Sequence, residues 1–185
     1  MPQRGKLIII GMLSLALIAA TSAWWYQYRQ GRRILEFWGA ADALRIRLAP
    51  DCQLLWLKRP ADTGDSLLEI QGEVWAIHSD CAIDDRRGFV HARQALIQDA
   101  SFLWEEALRP TGPWQCALRF TDDRGETLLA FDLDHGVVVH VHAEGRHANI
   151  RPITAGLRRF FHEQCPPTTS SFSHPGNRGT RQQPT

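Results

Sequence analysis

The chain has almost no lysine: Lys6 and Lys58 are the only two, so arginine carries nearly all of its positive charge. Its formal net charge is +1, and no basic stripe stands out. That excludes a dedicated nucleic-acid binder, which needs a clustered cationic face. The four cysteines, Cys52, Cys81, Cys116 and Cys165, are widely spaced with no Cys-x-x-Cys, which excludes zinc-ribbon and thioredoxin-like sites. There is no Gly-x-Ser-x-Gly elbow, no phosphate-binding glycine loop, no His-Glu-x-x-His and no internal repeat. The common hydrolase, nucleotide and zincin signatures are therefore missing.

One stretch lacks charge altogether. Leu7 to Ala23 (LIIIGMLSLALIAATSA) is apolar, preceded by Arg4 and Lys6 and closed by Trp24-Trp25-Tyr26. With its aromatic end it is about 20 residues, enough for a helix to cross a bilayer. A cleaved signal peptide and a buried core helix are the competing readings. The run is long for a signal peptide, and its aromatic end resembles an interfacial belt. The reading adopted is an uncleaved single span through Leu7 to Trp25, in contact with the lipid bilayer. No cysteine follows closely, which argues against a lipoprotein anchor. Arg4 and Lys6 are nearly balanced by Arg29, Arg32 and Arg33 on the other flank. The basic start and the cysteines favour an extracytoplasmic domain.

Residues 1–6 thus form a basic tail, 7–28 an anchor, 29–165 one domain and 166–185 a tail too polar to order itself. Within the domain, Gly31 to Leu48 reads as a helix, with Ile34, Leu35, Trp38, Ala41, Leu44 and Leu48 on one stripe. Gln53 to Lys58 and Leu67 to His78 read as strands, and Arg87 to Ala100 as a second helix. Trp114 to Ala143 reads as a three-stranded meander. A loop at Asp122 to Gly125 pairs Leu118 with Leu129 and Cys116 with Phe131. A three-residue loop, Asp134-His135-Gly136, pairs Phe131 with Val139, whereas a two-residue loop would set Phe131 opposite His140. A last helix, capped by Thr154 and carrying Leu157, Phe160 and Phe161, covers the apolar face. The order αββαβββα predicts an α+β fold: an N-terminal transmembrane helix, then one antiparallel-sheet domain with helices on one side.

Histidine supplies the one candidate constellation. His135 sits at a hairpin tip, His140 and His142 lie two apart on one strand, and Asp132 and Asp134 project to the same face. Imidazoles and carboxylates on one face can bind zinc, so His135, His140 and His142 are candidate metal ligands. The meander's register turns them to solvent, where such a pattern is ordinarily a polar face, and no cofactor is expected. Adjacent acidic pairs such as Asp84-Asp85 and Asp122-Asp123 read as turns. Trp38, Trp56, Trp75, Trp104 and Trp114 read as core, with an exposed patch for a protein partner as the alternative.

The segments ILEFWGAADALRIRLAP (Ile34 to Pro50), GFVHARQALIQDASFLW (Gly88 to Trp104), LLAFDLDHGVV (Leu128 to Val138) and ITAGLRRFFHEQ (Ile153 to Gln164) carry a resemblance. They are similar to an uncharacterised family of small membrane-anchored proteins from planctomycete bacteria. The resemblance implies one span plus one domain and carries over no functional residue. The expected function is a single-pass, membrane-anchored binding or sensing domain without catalysis. The alternative is a membrane-tethered metal-dependent enzyme.

Overall fold

The computed structural model describes residues 3–30, 32–60, 66–105, 112–143 and 145–167. The tail expected over 166–185 lies outside the described residues except for its first two positions. Helix α1 (Gln3–Gln30) leads to α2 (Arg32–Trp38) and α3 (Ala40–Leu48). The single helix expected over Gly31 to Leu48 is broken at Gly39, whose φ of 84° leaves the right-handed helical region. Arg146 holds this joint by donating from its guanidinium to the carbonyls of Phe37 and Trp38.

Side chains of α1 are described at Lys6 and over Ile9 to Trp25, and all of them are exposed. Leu7 and Ile8, which open the apolar run, are outside the described side chains. Among the described residues no helix is long and apolar enough to cross a membrane.

Seven antiparallel strands form one sheet in the order β2-β3-β1-β4-β5-β6-β7. They are β1 (Asp51–Lys58), β2 (Leu67–Ile70), β3 (Glu73–Ala82), β4 (Cys116–Asp122), β5 (Gly125–Asp132), β6 (Val137–His140) and β7 (His147–Asn149). The single strand expected over Leu67 to His78 is a hairpin. Gln71 and Gly72 both have positive φ, 53° and 83°, and turn the chain so that Ile70 pairs with Glu73. Two-residue hairpin turns of this hand match the twist of the strands. The alternation continued across the turn and so concealed it.

The β4–β5 pairing is as expected, with Leu118 opposite Leu129 and Cys116 opposite Phe131. The β5–β6 pairing is not. Phe131 faces Val138 and Asp132 faces Val137, so a four-residue turn, Leu133 to Gly136, replaces the three-residue loop. The fully buried Asp132 carboxylate accepts the N–H groups of Asp134 and His135, and Gly136 takes φ 70°. This side-chain turn selects the register. Apolar matching does not, because Val137, Val138 and Val139 are all buried.

They are buried because both faces of the sheet are covered. One face packs on α2, α3, α4 (Phe89–Leu96) and α5 (Arg151–Gln164), with Trp38, Ile46, Leu96, Phe131 and Phe161 at its centre. Burying an aromatic or aliphatic side chain of this size contributes roughly 1.5–3 kcal/mol. The other face holds a second cluster built only from the strands and Trp114, among them Leu55, Ile70, Trp75, Leu128 and Val139. The sheet curls, bringing β2 toward the turn after β6 across a cleft of about 840 Å³. The α+β class and the antiparallel sheet are as expected, with the domain's helices on one side, but the order αββαβββα is not: the break at Gly39, the hairpin at Gln71-Gly72 and the short strand β7 each add an element.

Two helix ends differ from expectation. The second helix stops at Leu96 rather than Ala100. A 3-10 turn, Asp99–Ser101, follows, and the Asp99 carboxylate accepts the Ile34 N–H at 2.9 Å. The last helix begins at Arg151, not after Thr154. Asn149 Oδ1 accepts the Arg151 N–H, and Thr154 donates back to the Ile150 carbonyl inside the first turn.

Candidate functional site: a tryptophan-lined cleft and a buried Asp–His pair

The corrected register decides where the histidines point. His140 is not on a solvent face. It is 5% exposed and turns toward the helices, and its Nε2 lies 3.0 Å from Asp42 Oδ2 on α3. His142 is exposed beyond the end of β6, its ring centroid 6.4 Å from that of His140. His135 sits at the opposite end of β6, with Nδ1 2.7 Å from the Asp132 carboxylate. The structure therefore keeps His140 and His142 as neighbours and places His135 apart. Among the described residues no group of three or more His, Cys, Asp or Glu side chains is arranged to hold a metal ion.

Asp42, which the sequence pattern did not single out, is the centre of a polar cluster between α3 and the sheet. Its Oδ1 accepts from Arg45 at 2.9 Å and from the fully buried Thr127 hydroxyl at 2.7 Å. Arg45 Nε reaches Asp122 at 3.1 Å. Burial opposes the charge on Asp122, but the Arg124 N–H and the Arg45 guanidinium together hold its carboxyl below the ordinary range. The Nδ1 atoms of His140 and His147 are buried without a hydrogen-bond partner.

The cleft with the most defined chemistry lies at the end of β1. Trp56, Trp75 and Trp114 form its walls, and Lys58, Arg59 and Arg158 bring positive charge to it. Its volume is about 580 Å³, inside the 300–1,000 Å³ range typical of small-ligand sites. Trp56 Nε1 donates to the Cys165 carbonyl at 2.8 Å, and the His162 ring stands 5.0 Å from the Trp56 ring. Trp75 Nε1 is buried and has no partner. The Asp134 carboxylate accepts from Gln115 at 2.9 Å and from Arg158 at 2.7 Å, and Arg158 also donates to the Leu133 carbonyl.

The end of α5 forms part of this wall, and a disulfide between Cys81 on β3 and Cys165 holds it. Four cysteines allow three pairings, and the fold brings this pair together. Cys52 and Cys116 are free and buried. Burial pushes the Cys52 thiol up to about 12, with Arg93 opposing, and burial also pushes Cys116 up. Trp38, Trp56, Trp75 and Trp114 are buried, as the packing reading expects. Three of them nevertheless shape the cleft, which spacing along the chain does not signal. No family model, curated protein or solved structure matches the chain.

Proposed function

We propose that this is a single-pass membrane protein displaying an extracytoplasmic binding domain without catalysis. The observation that carries the binding reading is the cleft of about 580 Å³ at the end of β1, lined by Trp56, Trp75 and Trp114 together with Lys58, Arg59 and Arg158. A few convergent polar groups in an aromatic cleft are what a ligand site needs.

The anchor is supported by α1. Ile9, Met12, Leu13, Leu17 and Trp24 are each at least 60% exposed, pointing apolar side chains in several directions. Exposed apolar surface of that extent calls for a cover. Adding Leu7 and Ile8 from the sequence brings the uncharged run to about the length of a bilayer span. The outward orientation is supported by Cys81–Cys165, because disulfides persist in oxidising compartments.

Alkaline extraction of membranes from expressing cells tests the anchor, and protease added to cells with a permeabilised outer envelope tests the side. The full chain stays with the membrane, and the protease removes its domain. The double variant Leu13→Arg, Leu17→Arg enters the soluble fraction, since each arginine at mid-span costs about 2.5–3.5 kcal/mol. A wild-type chain that extracts fully, or a domain protected until lysis, overturns the proposal.

One observation favours a metal-dependent enzyme instead. His140 presents an unpartnered Nδ1 while Asp42 holds its other nitrogen, as second-shell carboxylates hold metal-ligating imidazoles. Stoichiometric zinc that disappears in His140→Ala and His142→Ala supports this second reading, and metal-free protein rejects it.

A further inference from the structure

We infer that the outward face of α2 and α3 rests on the bilayer surface, with Leu35, Leu44 and Leu48 among the lipid headgroups and Arg47 on their phosphates. The inference rests on the reading of α1 as a membrane anchor and adds a second membrane contact beside it. It starts from the break at Gly39, which divides the apolar stripe expected over Gly31 to Leu48. Ile34 and Trp38 are buried as that stripe requires, but Leu35, Leu44 and Leu48 are 50%, 50% and 64% exposed.

Helix α3 sends two of its charges inward and its leucines outward. Asp42 and Arg45, 25% and 10% exposed, bind each other and reach Thr127 and Asp122 on the sheet. At 3.6 residues per turn, Ala40, Ala41, Leu44, Arg47 and Leu48 fall within about one third of the circumference, and all five are exposed. The opposite side buries Ala43 and Ile46. A helix that is apolar on two sides belongs between two apolar surroundings. The core supplies one, and the outward arc calls for the other.

Chain continuity and charge favour the bilayer as that second surrounding. Helix α2 begins two positions after α1 ends, with Gly31 between them. Helical rise keeps Leu48 within about 30 Å of Gln30 along the chain. Arg47 is the one charge on the outward arc, and no carboxylate shares that arc. Apolar side chains at headgroup depth with a cation among them are what an interfacial helix presents. The arginine stem lies along apolar surface while its guanidinium takes a phosphate. Arg32 is exposed as well, but it pairs with Glu36 at 3.0 Å, which leaves Arg47 the principal headgroup contact. A second copy of the chain fits less well. An isologous contact through α3 would bring Arg47 toward its own image with no carboxylate on the arc to receive it.

The test uses the full chain, one copy per nanodisc of phosphatidylcholine and phosphatidylglycerol, with acyl chains brominated at shallow or at deep positions. An environment-sensitive fluorophore is attached by maleimide to Leu44→Cys, to Leu48→Cys, to Leu13→Cys in α1, or to Glu73→Cys, an exposed position at the β2–β3 turn. Buried Cys52 and Cys116 stay unlabelled in the folded protein, and thermal melting confirms the fold of each variant. Shallow bromine removes most of the emission at Leu44→Cys and Leu48→Cys and none at Glu73→Cys, and adding Arg47→Gln restores part of it. Deep bromine quenches the label at Leu13→Cys. Unquenched labels on α3 beside a quenched label in α1 overturn the surface contact and leave the anchor standing. Labels unquenched in both helices count against both. Equal quenching at Glu73→Cys overturns the contact too, because the fluorophore then enters lipid by itself. Labels on α3 that are shielded only when two copies share a disc overturn the bilayer in favour of a second copy.

Discussion

His140 Nε2 and Asp42 Oδ2 lie 3.0 Å apart although 98 positions separate them in the chain. The pair ties the last residue of β6 to helix α3, and Thr127 and Arg45 converge on the same carboxylate. Helix α3 is thereby fastened to strands β5 and β6. Removing the carboxylate leaves an imidazole, a hydroxyl and a guanidinium without their shared acceptor. Asp42→Ala should therefore destabilise the protein by about 2 kcal/mol, in the range for orphaned buried polar groups. A double-mutant cycle with His140→Ala, read by thermal melting, should give a coupling of about 1 kcal/mol. Additive effects would mean that the two residues do not act as a pair.

Gly136 is a second point of sensitivity. Its φ is 70°, and a Cβ there would lie 2.6 Å from Arg151 Cγ and 3.1 Å from Arg151 Cα. Gly145 has nearly the same φ, 71°, but nothing within 4 Å of such a Cβ. Gly145→Ala should cost only the left-handed strain of roughly 1–2 kcal/mol. Gly136→Ala should cost more, because the first turn of α5 must also move. Similar melting temperatures for the two variants would contradict this.

The β4–β5 register was legible in the sequence because apolar residues pair with apolar residues across a turn bounded by Asp122 and Gly125. The stripe of α5 was legible too, and Leu157 and Phe161 are buried as expected. Three features were not. The turn at Gln71-Gly72 preserved alternation and so read as continuous strand. Three successive buried valines carried no register information, because curling covers both faces. The contact of Asp42 with His140 is long-range, and no local spacing announces it. The same one-residue shift moved His140 from the solvent to the core, which shows how one turn decides a candidate site.

Cys52 offers a check on burial by chemistry. Its thiol is pushed up to about 12, chiefly by burial. Iodoacetamide at pH 8 should leave Cys52 and Cys116 unmodified in the folded protein and should label both in denaturant, since the thiolate is the reactive form. The sign of the pH dependence follows. The folded-state value is raised above the unfolded one, so the contribution to stability is fully present below the ordinary thiol range. It is lost as pH climbs from about 9 toward about 12. Cys52→Ala should flatten that alkaline loss in melts recorded across this window, and an unchanged slope would assign the loss to other groups.

The disulfide joins the domain's stability to its location. Cys81 and Cys165 are 84 positions apart, and closing a loop of that size contributes roughly 2–4 kcal/mol. The most direct test of an extracytoplasmic domain is thiol trapping in intact cells. Free thiols are blocked at lysis, disulfides are then reduced and labelled, and the labelled cysteines are mapped by mass spectrometry. Label is expected on Cys81 and Cys165 alone, with Cys52 and Cys116 carrying the first blocking group. Four cysteines that all carry the first blocking group would contradict it.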